Sequence, residues 1–243
     1  MTISALMMMN CKSEETAADY IGPSQIEIQD GKMTPEALLA FGRLSDPQLS
    51  PDGRHILYGV SYTSVEENRS CRNLFIVNAD GTEPRQLTKD GKSISCARWI
   101  DGGKGIAYIQ GGQIWKASIR GIGGNTPRLV KRVKLSDIPA GVGEFKLSPD
   151  GNRVMYISYV HSDVKTPSDT DPKLDKATAY VAEDLMYRHW DHWVTELPHT
   201  FIADFKEDIT PEGSIDLLAS EEKLYELPIE PFGGLEQVDW SPD

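Results

Sequence analysis

The amino-acid sequence predicts an all-β fold built from repeated four-stranded antiparallel units, and three observations support this prediction. An apolar residue followed by a Pro/Asp/Gly turn recurs along the chain. Each complete copy is followed by alternating apolar and polar residues, as in a half-buried strand. The copies begin at Leu49, Trp99, Leu147 and Trp240, so two intervals are close to 50 residues and the third is longer. A period of roughly 40–50 residues with several short strands per unit is typical of propeller blades.

The recurring turn has a physical basis in its composition. In Leu49–Gly53 and Leu147–Gly151 the sequence is Leu-Ser-Pro-Asp-Gly. Proline presets the backbone angle of a type I turn, serine or aspartate bonds back to the backbone, and glycine adopts positive φ at little steric cost. The apolar residue ends one strand, and the alternating segment after the turn forms the next.

Each unit also contains a third and a fourth strand, which completes a blade. In the first unit these are NLFIVN and PRQLT, in the second QIWKASI and PRLVK, and in the third HTFIADF and SIDLLA. Leu74, Ile76 and Ile114 are expected to pack blade on blade. The sequence therefore predicts a partial β-propeller of about three blades plus the first strand of the next. The predicted blades are 45–92, 95–133 and 143–220, with the next beginning at 236.

The third unit carries an insertion at about 161–198. RVMYISYV and its expected partner HTFIADF are separated by a stretch of different character, first charged and rich in turn residues, then rich in aromatic residues. A degenerate extra blade is the alternative explanation for the long interval.

The amino-terminal region has a different character from the repeats. Ile3–Met9 is apolar but too short to span a bilayer, and it resembles the central part of a secretory signal. Cys11 lies where a bacterial lipoprotein is acylated, although no Lys or Arg precedes the apolar run. We expect residues 1–32 to form a signal-like start and a polar tether. Thr34 and Pro35 then predict a short helix from Pro35 to Arg43, with Thr34 as its N-cap.

Composition limits the functional classes. The formal net charge of −12 argues against nucleic-acid binding, which needs clustered Lys and Arg. The three cysteines are too few for a disulfide scaffold. Cys71 and Cys96 either pair in an oxidising compartment or are two small, partly buried residues.

Several segments in this order resemble a known family. MTPEALLAFGRLSDPQLSPDGRHILY, LFIVNADGTEPRQLT and YRHWDHW look like the amino-terminal propeller of prolyl-oligopeptidase-family serine peptidases. The similar branch is that of dipeptidyl-peptidase V and acylaminoacyl peptidase. The resemblance covers residues 33–243.

The resemblance implies a two-domain peptidase in which a propeller precedes an α/β-hydrolase domain and admits only short or unfolded peptides. The expected partners are peptide substrates and the carboxy-terminal hydrolase domain of the same parent chain. The sequence contains no G-x-S-x-G nucleophile motif, so no catalytic residue is assigned to this chain. We expect it to be a fragment that lacks the catalytic domain.

The YRHWDHW segment in the insertion is the best candidate for substrate binding. Arg188 would pair with a substrate carboxylate or carbonyl. Asp191 or Glu183 would pair with an α-amino group. Trp190 and Trp193 would form an apolar subsite. The alternative is that these side chains pair and pack only with one another.

No metal or cofactor is predicted. The spacing of His189, His192 and His199 matches no familiar zinc pattern. The Gly-rich segments GGQIW and RGIGGNTP join predicted strands, so they are expected to be turns and not phosphate-binding loops.

Two functions from different classes remain open. The first is a substrate-gating and substrate-positioning propeller of an exported serine peptidase that releases dipeptides or acylated residues from peptide amino termini. The second is a non-enzymatic propeller similar to the Tol-Pal periplasmic component, which is a platform for protein binding. The expected location is the bacterial periplasm or outer membrane, with a lipid anchor on Cys11, or the cytoplasm if the amino terminus is not a signal.

Overall fold

A computed structural model describes residues 20–26, 28–124, 126–162, 164–181, 188–189, 192–221, 225–229 and 234–242, without the side chains of residues 29, 188, 189 and 192. Within these residues the strands form three four-stranded antiparallel sheets and one short hairpin. The predicted all-β class and the blade-like sheets are therefore confirmed.

The first two sheets follow the chain order, so each is a simple meander. Their hairpin connections are short, as antiparallel neighbours allow. The first sheet comprises β1 (Arg43–Leu49), β2 (His55–Ser64), β3 (Arg69–Asn78) and β4 (Arg85–Gln86). The second comprises β5 (Ile94–Ile100), β6 (Gly105–Gln110), β7 (Gln113–Arg120) and β8 (Arg128–Lys134).

The third sheet has the same order but is interrupted between its second and third strands. Its last strand, β14, contains only two residues and is therefore shorter than the predicted SIDLLA strand. The strands of this sheet are β9 (Phe145–Leu147), β10 (Arg153–His161), β13 (Glu196–Asp204) and β14 (Ile215–Asp216). The hairpin of β11 (Arg188–His189) and β12 (His192–Trp193) lies between β10 and β13.

The repeated turn forms the hydrogen bonds that its composition predicts. The Ser50 hydroxyl donates to Asp52 Oδ1 at 2.6 Å, and Gly53 has a φ of 71°. In the third sheet the Ser148 hydroxyl donates to Asp150 Oδ1, also at 2.6 Å, and Gly151 has a φ of 73°. The two copies of the motif therefore make the same local structure.

Apolar side chains join each sheet to the next. One buried cluster combines Leu57 and Leu74 of the first sheet with Ile106 and Tyr108 of the second. A second cluster combines Ile114 of the second sheet with residues of the third, including Val154, Tyr156 and Phe201. The expected blade-on-blade packing of Leu74 and Ile114 is therefore observed, and Ile76 is fully buried.

Tyrosines at equivalent positions have different surroundings. Tyr108 and Tyr156 are fully buried, each against the preceding blade. Tyr58 is only partly buried and stacks on Phe75 of its own blade, with ring centroids 5.6 Å apart. In the described part of the chain, this face of the first blade is partly covered by the amino-terminal segment.

The amino-terminal segment makes specific contacts with the first blade. Ile21 is buried, and its carbonyl accepts a buried hydrogen bond from Asn73 Nδ2 at 3.0 Å. The Tyr20 hydroxyl is hydrogen-bonded to the Gln86 side chain. Tyr20 and Ile21 thus pack on the first blade, although they lie in the stretch that was expected to be a tether.

The single predicted helix of this region is present but shorter than expected. The helix α1 runs from Pro35 to Ala40, and the Thr34 side chain accepts a hydrogen bond from the Ala37 N–H at 3.1 Å, as an N-cap does. The prediction that it extends to Arg43 is wrong. Phe41 has an extended backbone, and Arg43 already pairs with Ser61 as the first residue of β1.

Tryptophan indoles bond to the first strand of the preceding blade at a repeated position. Trp99 at the end of β5 donates its indole N–H to the carbonyl of Gln48 in β1 at 3.0 Å. Trp240 donates its indole N–H to the carbonyl of Lys146 in β9 at 3.3 Å. Gln48 and Lys146 each precede the Leu-Ser-Pro-Asp-Gly turn, so these links follow the repeat.

The tyrosine hydroxyls provide a matched stability test. The Tyr156 hydroxyl bonds to Ser214 Oγ at 2.8 Å, whereas the buried Tyr108 hydroxyl has no hydrogen-bond partner among the described residues. We expect Tyr156→Phe to lower the free energy of unfolding by about 1 kcal/mol, and Tyr108→Phe to leave it unchanged or raise it. Urea denaturation measures both. An equal loss in the two variants would contradict this assignment.

Alkaline pH provides a second test. Burial raises the pKa of Tyr108 to about 12. The unfolded phenol ionises near pH 10, so the folded state holds this proton more tightly. The stabilisation is present below about pH 10 and is lost as pH rises towards 12. We expect Tyr108→Phe to flatten the alkaline decline of stability measured by urea denaturation between pH 9 and 11. An unchanged slope would contradict the burial of this hydroxyl.

Candidate functional site

The insertion leaves the third blade after β10 and returns at β13. Backbone hydrogen bonds close its first part, since Lys165 and Val181 bond to each other in both directions at 3.2 and 2.7 Å. Between them lies the short helix α2 (Pro167–Thr170), where the Asp169 carboxylate accepts hydrogen bonds from the Thr166 N–H and hydroxyl. These bonds hold the pKa of Asp169 below its usual value, so this carboxylate is ionised at neutral pH.

Two aromatic rings from different parts of the insertion meet. Tyr180 and Trp193 stack with ring centroids 5.0 Å apart, and their residues are 38% and 37% exposed. Tyr180 also lines a cavity of about 710 Å³ together with His161, Lys165 and Thr195. An apolar surface next to charged and hydroxyl groups fits a peptide, which carries both kinds of group.

The structure describes only part of the predicted substrate-binding set. Arg188 lies in β11, where its Cα pairs with that of Trp193, and its side chain is not described. Glu183, Trp190 and Asp191 lie outside the described residues, as does Cys11. The roles assigned to these residues therefore remain predictions.

His199 has a structural environment that its sequence position did not reveal. Its side chain is buried, and Nδ1 lies 2.8 Å from Asp216 Oδ2. The described residues contain no group of three or more side chains arranged to hold a metal ion. The side chains of His189 and His192 are not described.

The sequence analysis did not identify a charged cluster formed by residues of β1, β3 and β5. Asp46 accepts hydrogen bonds from Arg98 of the next blade at 2.8 and 2.9 Å, and Arg72 Nη2 lies 3.7 Å from its carboxylate. Asp46 has a φ of 52° where the β1–β2 register shifts. Such a bulge re-aims a side chain, here towards the neighbouring blade. The Asp46-Pro47 pair within β1 could have indicated this bulge, because proline inside a sheet is confined to edge strands and bulges.

The possible pairing of Cys71 and Cys96 is contradicted. Both are free, buried thiols, and they lie in the different sheets of β3 and β5. Burial raises the pKa of each thiol. Cys96 Sγ donates to the Phe145 carbonyl at 3.3 Å. They are small core residues, which was the other alternative.

Sequence comparison finds similar peptidases. The chain is 37% identical over 226 residues to dipeptidyl-peptidase 5 of Porphyromonas endodontalis, covering 91% of this chain and 31% of that protein. It is 37% identical over 234 residues to dipeptidyl-peptidase 5 of Porphyromonas gingivalis, covering 93% of this chain and 33% of that protein. The chain thus spans about a third of the length of these relatives. No protein-family model matches the chain.

Solved structures overlap only in part. Uncomplexed acylaminoacyl peptidase of Pyrococcus horikoshii has a TM-score of 0.46 and 17% identity, covering 72% of this chain and 25% of that one. The β-propeller domain of the Trilobed protease from Pyrococcus furiosus has a TM-score of 0.31 and 12% identity, covering 76% and 58%. Because both TM-scores are below 0.5, these two similarities support no conclusion about this chain.

Antiparallel four-stranded sheets that pack face to face in chain order define this chain as a partial β-propeller. Over more than 90% of its length, this partial propeller is similar to about a third of two dipeptidyl-peptidase 5 proteins. Among the described residues, no helix has the length and apolar character needed to cross a bilayer.

A substitution at Gly59 tests whether Arg72 packs beside Asp46 in the charged cluster. A Cβ at Gly59 would lie 2.0 Å from Arg72 Nε, so an alanine there would push Arg72 away from Asp46. Because only the far end of the Arg72 side chain must shift, we expect Gly59→Ala to lower the free energy of unfolding by about 0.5–1 kcal/mol relative to Gly123→Ala, measured in urea. Gly123→Ala is the matched control, because a Cβ at Gly123 would have no atom within 4 Å. Equal stabilities of the two variants would contradict the packing of Arg72 across Gly59.

Proposed function

We propose that this chain admits and positions peptides for an exported serine peptidase that releases dipeptides or acylated residues from peptide amino termini. The observation that carries the proposal is the 37% identity to two proteins named dipeptidyl-peptidase 5 over nearly the whole of this chain. Because the chain spans about a third of those proteins, the activity belongs to a larger protein that contains it.

The partner of the propeller is an α/β-hydrolase domain of the same parent chain. Such a domain supplies the serine nucleophile, the histidine base and the aspartate that orients it. In this arrangement the propeller restricts which peptides reach the nucleophile and fixes their orientation. The rate advantage of such positioning comes from holding the reacting groups in a productive geometry.

The insertion of the third blade supplies the positioning groups. Arg188 pairs with a carbonyl or carboxylate of the peptide, and Asp191 or Glu183 holds its α-ammonium. Support for this role comes from the neighbouring Tyr180–Trp193 stack, which offers an exposed aromatic surface beside a cavity of about 710 Å³. The net charge of −12 favours the approach of a positively charged amino terminus.

Hydrolysis by the parent protein tests the proposal. We expect the parent protein to release the fluorophore from dipeptidyl-aminocoumarin substrates and to lose this activity on treatment with a serine-directed organophosphate. The 243-residue chain alone, assayed under the same conditions, is expected to be inactive. A parent protein that cleaves no dipeptidyl or acylaminoacyl substrate, yet binds other proteins, would support the platform function instead. Recovery of the parent in the cytoplasmic fraction would contradict export.

Arg188 tests the role of the insertion. We expect Arg188→Ala in the parent protein to raise KM for dipeptidyl substrates about tenfold, because a charge-assisted hydrogen bond to the substrate is lost. The control is Arg153→Ala, at an exposed position where β10 begins. Steady-state kinetics measure both variants. An unchanged kcat/KM in Arg188→Ala would remove Arg188 from the binding site without affecting the assignment of the peptidase.

A further inference from the structure

The two ends of the blades differ in the side chains that their connecting segments carry. Because neighbouring strands run antiparallel, the links between the first and second strands and between the third and fourth strands share one end. In chain order these links are 50–54, 79–84, 101–104, 121–127, 148–152 and 205–214. No described residue in them has an exposed large apolar side chain.

The opposite end carries exposed apolar side chains. Here α1 leads into β1, and a hairpin at 65–68 joins β2 to β3. Leu38 and Phe41 of α1 and Val65 of this hairpin are each at least 49% exposed, and we name these three residues the α1 surface. Met33 just before α1 and Leu44 near the start of β1 are also exposed. Among the described connecting segments, exposed large apolar side chains are thus found at the end where the chain enters the first blade.

The helix and the hairpin form one continuous surface. Leu39 of α1 and Val65 of the hairpin line a common cavity of about 430 Å³. Leu38 and Phe41 are three positions apart and therefore project from one side of α1, whereas Ala37 is buried. Single exposed apolar residues are normal on a protein surface. Several that lie together mark a contact with another protein or domain.

The topology indicates what covers this surface. Each sheet has four strands in a meander, so the chain leaves a blade at the end at which it entered. It enters the first blade next to α1, and whatever follows the last blade therefore emerges at the same end. The matched regions are only 31% and 33% of the dipeptidyl-peptidase 5 proteins, so a parent protein of that length has ample further chain to cover the α1 surface.

We propose that the carboxy-terminal remainder of the parent chain docks on the propeller through the α1 surface. This inference rests on the proposed function, which supplies an α/β-hydrolase domain as the partner, and it adds the surface that the partner covers. The insertion connects the second and third strands of its blade, so it lies at the same end. Docking at the opposite end would separate the partner from the insertion by the length of a nine-residue strand such as β10, which is about 30 Å.

Carbene footprinting of the parent protein tests the proposal without any substitution. In the folded protein, relative to the urea-denatured one, we expect labelling of Leu38, Phe41 and Val65 to be lost, because the partner covers them. The turn at 51–54 lies at the opposite end and is exposed, so it should stay labelled. Full labelling of the α1 surface, or loss of labelling at the turn instead, would overturn the proposal.

A charged substitution within the surface provides a second arm. Leu38→Asp in the parent protein should restore the labelling of Phe41 and Val65, because burying an unpaired carboxylate in an apolar contact is costly. The control is Arg54→Asp, at an exposed position of the opposite end, and it should leave the labelling of the α1 surface unchanged. Equal effects of the two substitutions would contradict the proposed contact.

Cross-linking identifies the occupant. Lys32, which is exposed just before α1, should link to lysines beyond residue 243 of the same chain, whereas Lys104 at the opposite end should not. Links that form only between copies, detected in a mixture of unlabelled and isotope-labelled protein, would assign the surface to a second copy and overturn the proposal. A parent protein that cleaves a dipeptidyl substrate with its α1 surface fully labelled would refute this inference alone. One that docks as described but cleaves no dipeptidyl or acylaminoacyl substrate would refute the proposed function alone.

Discussion

Apolar packing of each blade against the next is the interaction on which the rest of this structure depends. A four-stranded sheet of this size has two faces, and a single isolated blade exposes both. Here Leu74 and Tyr108 meet at one junction, and Ile114 and Tyr156 take part in the next. Fully burying such a side chain contributes about 1.5–3 kcal/mol. The insertion is positioned by these contacts, because β10 and β13, from which it leaves and to which it returns, belong to the packed third blade.

Local chemistry made much of the fold predictable from the sequence. The Ser-Pro-Asp-Gly turns and the alternation after them depend on neighbouring residues, and both copies form the expected bonds between Ser50 and Asp52 and between Ser148 and Asp150. The end of α1 was missed because pairing of Arg43 with Ser61 overrides helix propensity. That pairing depends on a residue far along the chain, which no local pattern specifies.

The candidate sites were less predictable for the same reason. The insertion was visible as a break in the repeat, but the stack of Tyr180 on Trp193 brings together residues from separate parts of it. The link between Asp46 and Arg98 joins two blades. These features come from pairing between distant segments, and the only local signal for any of them was the Asp-Pro pair at the bulge of Asp46.

A double-mutant cycle across the first blade junction tests the central claim most directly. Leu74→Ala and Ile106→Ala each shorten a fully buried side chain, and the two residues belong to different sheets within one apolar cluster. If the blades pack as described, urea denaturation of the two single variants and the double variant should give a coupling free energy of at least about 0.5 kcal/mol. Strictly additive effects would mean that the two faces do not meet and would contradict the packing of one blade on the next.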